Sequence, residues 1–555
     1  MQRMLFSTPI AALLLASQPI YAEDASALNQ LETESNRRAR NQVREATTPP
    51  APQRIPVSVN QQDTQLPEAG GTCFPIHATS LQGQQKDLPS PGFVQRLEGQ
   101  CADANAIAKL LDDLNRFYQD KGFITTRVSV PQQSIKSGKL ILRVTPGKVG
   151  KLGYTSGKSV DSCLTTAFPL AIGDHVELRK LEQGLDNFNR PPSQSGKFQL
   201  VPGNIEGESD ILVSTTQDKR WRVTTSVDNS GYKTTGVAKP SIDFALDNLL
   251  GSNDTLNVGY NTNADREGDT KLSHSANIQY SVPYKDWSFS IGQSRHEFDR
   301  IIAGVNQSYR VNGNSTQATF GAEKLLTRSQ AARHYAYANL AIKESHNYIE
   351  GFEIESQRRN LSVLNAGWRG DKTLGQNKLE WKLGGKLGLN AFGAMQDIPG
   401  PAISKFTAAE AKATLKAPIR QGKLTYTGTL AAQTSNDELP GSEQFGVGGR
   451  YDVRGFHEDT LFGNSGVYLR NEIETGSFGD GEAKAKFYVG LDAGKVSNPA
   501  TMQWGKPRIV GAAIGSRITL GKHIEADVTY AQALKRPDEF TGSKNQVYFK
   551  ATWNY

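Results

Sequence analysis

The chain has 555 residues, 37% of them hydrophobic, with 63 basic residues against 56 acidic ones and a net charge of +7. Its length leaves room for three or four domains, and its mean hydropathy of −0.50 excludes a polytopic helical membrane protein, which needs several apolar runs of roughly 20 residues. A transmembrane barrel is not excluded, because its strands alternate apolar and polar residues; the scattered basic residues argue against a nucleic-acid partner.

The N-terminus reads Met-Gln-Arg-Met, then the mostly apolar run Leu5–Ala16, then Ile20-Tyr21-Ala22. A cation, a short apolar stretch and a small terminal residue describe a secretory signal over residues 1–22, and an exported protein. Residues 23–46 are rich in helix formers but have almost no apolar stripe, with Leu28, Leu31 and Val43 the only large aliphatics. Such a helix cannot be held by core packing, so it needs a polar cavity or stays unfolded. Residues 47–71, with several prolines and glutamines, read as a flexible linker. A helix on a long tether can enter and leave a site.

Residues 72–147 have the pattern of a small α/β domain: a strand at Phe74–Leu81, a short helix at Phe93–Leu97, and a helix whose apolar face carries Ile107, Leu110, Leu111, Leu114, Phe117 and Tyr118. Lys121-Gly122 ends that helix, and Phe123–Val130 and Lys139–Val144 read as strands. Residues 148–218 repeat the order. A strand lies near Leu152-Gly153-Tyr154, a short helix at Asp161–Phe168, a helix carries Leu178, Leu181, Leu185 and Phe188, and strands lie around Lys197–Leu200 and Asp210–Thr215. Exposed strand edges in such units are docking sites for an extended peptide. Of the three cysteines, Cys73 and Cys101 are the expected pair, closing a loop that would stabilise a small domain by about 3.5 kcal/mol in an oxidising compartment. A bridge to Cys163, or none, is the alternative.

From residue 219 to 555 the helical period gives way to period two. In the last strand Val547, Phe549, Ala551, Trp553 and Tyr555 alternate with Gln546, Tyr548, Lys550, Thr552 and Asn554. About sixteen strands follow one another, beginning near residues 221, 239, 254, 271, 287, 314, 334, 358, 377, 405, 423, 465, 484, 508, 523 and 546. Alternation alone also fits a soluble sandwich. The connections decide: turns such as Gly375-Gln376-Asn377 and Gly521-Lys522 are short, whereas Ser230–Pro240, His346–Arg359 and Asn436–Asn464 are long. Short periplasmic turns opposite long external loops are the pattern of a barrel in outer-membrane lipid.

The longest external loop carries Phe445-Gly446-Val447-Gly448-Gly449-Arg450-Tyr451-Asp452-Val453-Arg454-Gly455-Phe456, whose glycines suit a backbone that folds back tightly. Folded inward, Arg454 needs a carboxylate, and Asp492 on the thirteenth strand is the best candidate. In a wet lumen that pair is expected to be worth about 1 kcal/mol. An exposed loop arginine and an ordinary lumen aspartate are the bland alternative.

Val453-Arg454-Gly455-Phe456 resembles the inward-folded loop motif of the outer-membrane insertase and transporter superfamily. Cys73-Phe74-Pro75-Ile76 with Cys101, Tyr118 with Gly122-Phe123-Ile124-Thr125-Thr126-Arg127, Leu181-Glu182-Gln183-Gly184-Leu185 and Asn187-Phe188-Asn189-Arg190 resemble the polypeptide-transport-associated (POTRA) domains of two-partner secretion transporters, the TpsB family. Asp228-Asn229 is a further point of likeness; Cys163 has no place in the family pattern. The resemblance covers nearly the whole mature chain. It implies an N-terminal plug helix, a linker, two POTRA domains and a 16-stranded barrel, with Arg454 paired to Asp492. It also implies export of a large secreted exoprotein, bound by the POTRA domains, of haemagglutinin, haemolysin or contact-dependent inhibition type. An insertase of the same superfamily is the alternative, though the resemblance implies more POTRA units there. A passive porin would not need the periplasmic domains. The chain shows no G-x-S-x-G, H-E-x-x-H or P-loop pattern, so no enzyme and no cofactor are expected. Binding and external folding of the cargo are expected to drive export.

Overall fold

The computed structural model describes residues 73–265, 270–303, 307–396, 402–497, 508–538 and 540–555. The expected signal, plug helix and linker (1–22, 23–46 and 47–71) lie outside the described residues.

The first unit packs the helix Ala104–Asp120 over a three-stranded sheet, Ala78–Gln82, Lys139–Thr145 and Arg127–Ser129 in that spatial order. Asp103 caps the helix by accepting a hydrogen bond from the Ala106 backbone N–H at 2.8 Å. Leu110, Leu114 and Tyr118 then meet Leu140, Leu142 and Val144 in one core. Phe74–Ile76 and Gln100–Ala102 form a separate two-stranded ribbon, beside which Cys73 and Cys101 are disulfide-bonded, while Cys163 is a free thiol.

Two segments depart from the sequence reading. Phe74–Leu81 divides at His77 into two strands that join different sheets. Of Phe123–Val130 only Arg127–Ser129 is strand, because the Phe123 and Thr126 amides are used in a turn on Tyr118 and Phe123 carbonyls.

The second unit repeats the plan with Lys148–Tyr154, Glu208–Gln217 and Gln194–Pro202 as its sheet, covered by helices Ser162–Ala167 and Leu178–Phe188. Its core gathers Leu164, Phe168, Leu181, Phe188, Ile211 and Val213.

Beyond Trp221 sixteen antiparallel strands close into a barrel, the last strand (Asn545–Asn554) pairing with the first (Trp221–Asp228). Closure leaves no unpaired sheet edge facing lipid. Val547, Phe549 and Trp553, and likewise Phe487, Val489 and Leu491, are exposed on the outer wall. An apolar surface of that extent needs lipid. The sixth strand, Ser308–Arg328, has 21 residues. At about 3.3 Å per residue it is roughly 70 Å long, more than the hydrocarbon core requires even when tilted, so this wall stands well clear of the bilayer.

The second unit sits against the short turns, which identifies that rim as periplasmic. Asn187 donates to the Lys285 carbonyl (2.7 Å), Asn253 donates to the Cys163 carbonyl (2.7 Å), and Gln194 donates to Asn253 (2.9 Å). Arg328, the last residue of the sixth strand, binds Asp186 at 2.7 Å and Glu182 at 3.3 Å. Arg333 bridges Asp186 to Asp371. The polar run Glu182–Asn187 is thus the face by which the domain docks on the barrel, a role that sequence reasoning missed. Cys163 is buried in the same contact, its Sγ 3.1 Å from the Gly251 carbonyl oxygen, and burial pushes the thiol above its ordinary value.

Candidate functional site

The connection between the eleventh strand (Leu424–Thr434) and the twelfth (Ser465–Thr475) lies at the rim opposite the periplasmic domains and turns inward. A small ribbon, Phe445–Val447 with Leu461–Gly463, braces it. Gly448 and Gly449 both have positive φ, 120° and 133°, which an L side chain rarely adopts. Asp452 fastens this bend by accepting from the Gly448 N–H (2.9 Å) and the Val453 N–H (2.6 Å).

The tip is buried. Val453 and Phe456 pack with Val447, Leu461, Val496 and Ile509, and the Phe456 carbonyl accepts from the Tyr548 hydroxyl at 3.1 Å. Gly455 lies so close to the fifteenth strand (Ile524–Lys535) that a Cβ there would come within 2.6 Å of the Gln532 backbone.

Arg454 is 1% exposed and Asp492 0%. The guanidinium forks onto the carboxylate, Nε to Oδ2 at 2.7 Å and Nη2 to Oδ1 at 2.9 Å. The Arg454 backbone N–H adds a third contact to Oδ2 at 3.2 Å. The remaining donors reach Glu472 (Nη1 to Oε2, 2.9 Å) and the Asn471 carbonyl (2.9 Å). One arginine therefore ties the loop to the twelfth strand and to the thirteenth, Ala483–Ser497.

Two glycines make room for it. A Cβ on Gly490 would lie 1.9 Å from Nη2, and one on Gly511 1.7 Å from the Arg454 carbonyl oxygen. The structure brings Val453, Arg454, Gly455, Phe456 and Asp492 into one site, but corrects the wet environment expected for the pair: side chains seal it from water. Glu472, Gly490 and Gly511 were not anticipated. Glu472 could have been found, since Arg470, Glu472 and Glu474 share one face of a strand whose other face carries Leu469 and Ile473.

Around the pair the lumen is polar. Arg517 binds Glu472 at 2.7 Å and Asp527 at 3.3 Å, and Arg450 meets Asp527 at 3.4 Å. Arg517, Asp527 and Arg450 border a lumenal cavity of about 870 Å³ that also reaches Asp228 on the first strand. Among the described residues no cluster of His, Cys, Asp and Glu has the arrangement of a metal site. The arrangement holds the loop inside a polar lumen.

Comparison with known proteins gives this architecture a family. Residues 207–518 match the model of the haemolysin secretion/activation protein ShlB/FhaC/HecB, residues 74–147 that of the ShlB-type POTRA domain, and residues 154–202 a POTRA domain. The chain is 30% identical over 464 residues to the outer membrane transporter CdiB-2 of Burkholderia pseudomallei, covering 82% of this chain and 79% of that one. It is 28% identical over 437 residues to the hemolysin transporter protein ShlB of Serratia marcescens, covering 78% and 77%. Among solved structures, CdiB from Escherichia coli superposes over the full length of both chains with a TM-score of 0.84 at 22% identity. CdiB from Acinetobacter baumannii does so with a TM-score of 0.78, also at 22%, over 96% and 99%. The last two likenesses are of fold. The family match decides between exporter and insertase: the chain belongs to the haemolysin secretion/activation family, the two-partner secretion transporters of the outer membrane, whose barrels export a partner exoprotein.

Proposed function

We propose that the two POTRA domains capture an extended segment of the exoprotein in the periplasm and feed it into the barrel, where the loop held by Arg454 borders the conducting path. The boundaries read from sequence are part of the proposal: signal 1–22, plug helix 23–46, linker 47–71, POTRA units 72–147 and 148–218, barrel 219–555. The supporting observation is the buried Arg454–Asp492 fork, which spends a charged pair on holding an external loop inside the lumen. Ala78–Gln82 and Lys148–Tyr154 are edge strands; beyond Thr79, whose N–H is taken by Glu98, and Val149, which is bonded to Gly173 and Asp174, their remaining backbone groups are the docking surface for an unfolded chain. The cargo belongs to the class carried by the relatives, CdiB transporters and hemolysin transporters. Cargo binding and folding outside the cell supply the driving force.

One secretion experiment tests both parts. The chain, carrying a photocrosslinker at Ser80 or Lys151, is expressed with a candidate exoprotein of the class that the relatives carry. Crosslinks to cargo and export that continues after the inner-membrane potential is collapsed, with cargo already periplasmic, are expected. Export without any POTRA crosslink removes the capture step, and arrest on depolarisation removes the driving-force argument.

A further inference from the structure

The long loop has a second buried attachment, on a different wall. Directly after the eleventh strand, Leu439 (1% exposed) enters an apolar pocket of Leu361 and Val363 on the eighth strand (Arg359–Leu374), Ala408 on the tenth (Thr407–Ile419) and Phe406 just before it. Four residues on, the Glu443 carboxylate is buried between two ammonium groups. One is Lys343 on the seventh strand (Ala332–Ile349). The other is Lys386 on the ninth (Asn377–Leu389), 3.7 Å from Oε2. Gln433 completes the contact, donating to the Glu443 carbonyl at 2.9 Å while accepting from Lys386 at 3.0 Å. Lys343 lies opposite Leu361 in the strand ladder, and Lys386 opposite Ala408. Directly opposed residues share a sheet face, so pocket and ion cluster form one patch on the inner wall.

The loop is therefore fastened at two points, its stem to strands seven to ten and its tip to strands twelve and thirteen. Glu443 and Arg454 are eleven positions apart. At about 3.4 Å per residue that segment reaches at most about 37 Å, so stem position limits where the tip can lie.

We infer that Glu443, clamped by Lys343 and Lys386, is a second positioning residue of the loop, fixing its stem so that Arg454 is presented to Asp492 and the pore stays narrow. The inference rests on the reading that this loop borders the export path. A stem held by Leu439 alone could rotate about it; a carboxylate between ammonium groups on two strands, with its own backbone carbonyl held by a third, sets direction as well as depth. Charge also suits a joint that must open, since both partners rehydrate in a wet lumen.

The test uses the full chain, purified and reconstituted in planar bilayers, and the same variants in cells. Glu443→Gln and Lys343→Met should each raise the frequency of large-conductance openings at least fivefold, with heat-modifiable barrel unchanged. Glu443→Gln combined with Lys343→Met should stay within twofold of the larger single effect, because both remove the same pair; two independent space-filling roles would multiply instead. Wild-type conductance from both single variants overturns the inference, as does a double variant whose effect is the product of the two singles. Export per folded barrel, measured beside Arg454→Ala, separates the two ideas. Altered conductance with wild-type export from all the variants keeps the second anchor and discards the loop as a border of the path.

Discussion

Replacing Arg454 by alanine is the most direct perturbation, and the structure fixes its size. The expectation of about 1 kcal/mol belongs to exposed pairs; with Arg454 and Asp492 both sealed from water, the value for removing one partner of a buried pair applies, roughly 3–5 kcal/mol. Two observations place it at the lower end. Glu472 keeps Arg517 at 2.7 Å and Arg470 at 3.6 Å, so it is not orphaned. Asp492 keeps two backbone donors, the Asn471 N–H at 3.1 Å and the N–H of residue 454 itself at 3.2 Å. A loss of about 3 kcal/mol shifts the balance between held and released loop by a factor of roughly 150. Barrel closure rests instead on strand hydrogen bonds, so insertion should persist. Arg454→Lys should rescue poorly, because an ammonium cannot span the two carboxylate oxygens. Gly490→Ala retains both charges but places a carbon where Nη2 lies, so it should release the loop as Arg454→Ala does. The assay is cargo in the medium normalised to heat-modifiable barrel, with maleimide accessibility of a His457→Cys reporter showing loop position from outside the cell. Wild-type export from both Arg454→Ala and Asp492→Ala refutes the reasoning. So does a fall in barrel abundance that matches the fall in export.

The periplasmic joint has its own reporter. Cys163 is buried at the POTRA–barrel contact with its thiol pushed up by that burial, so it should label slowly with maleimide at neutral pH. Arg328→Ala, which strips Glu182 of its barrel partner and leaves Asp186 with Arg333 alone, should speed labelling at least tenfold; an unchanged rate means that the joint does not depend on this arginine. Deleting residues 24–46 should raise single-channel conductance while the barrel stays heat-modifiable, and unchanged conductance would dispose of the plug assignment.

The barrel was legible because lipid on one side and water on the other impose a period of two, and because turns and loops differ in length. Fifteen of the sixteen strand starts fall within two residues of the reading from sequence. The exception is the sixth strand, which begins at Ser308 rather than near 314. There the wall has left the bilayer, and Asn312-Gly313-Asn314 carries no apolar alternation to mark it. The docking face Glu182–Asn187 was not legible for a related reason. A polar helix face looks the same in sequence whether water satisfies it or Arg328 does. Asp492 could be singled out because an inward arginine demands a carboxylate. Glu443 could not, since a glutamate in a long external loop ordinarily faces solvent, and only the strand ladder shows Lys343 and Lys386 beneath it.

A joint that is costly to mutate need not be costly to open. Removing Arg454 leaves Asp492 buried without its main partner, and the roughly 3 kcal/mol is the penalty of that stranded charge. When the intact loop swings away, both groups enter a hydrated lumen, and regained solvation offsets most of the lost attraction. An apolar anchor would lack this property, because parting it exposes surface at about 25 cal/mol per Å² with nothing returned. The same reasoning covers the Glu443 stem and the Arg328 contact with the second POTRA domain. All three lie where a part outside the strand ladder meets the barrel wall, and each joins carboxylate to cation. The barrel itself, closed by backbone hydrogen bonds, has no such low-cost way to part. The division of labour follows: strand pairing keeps the pore in the membrane, and with the ion-paired joints easily parted, the apolar contacts of Leu439, Val453 and Phe456 are what remains to hold the loop in place.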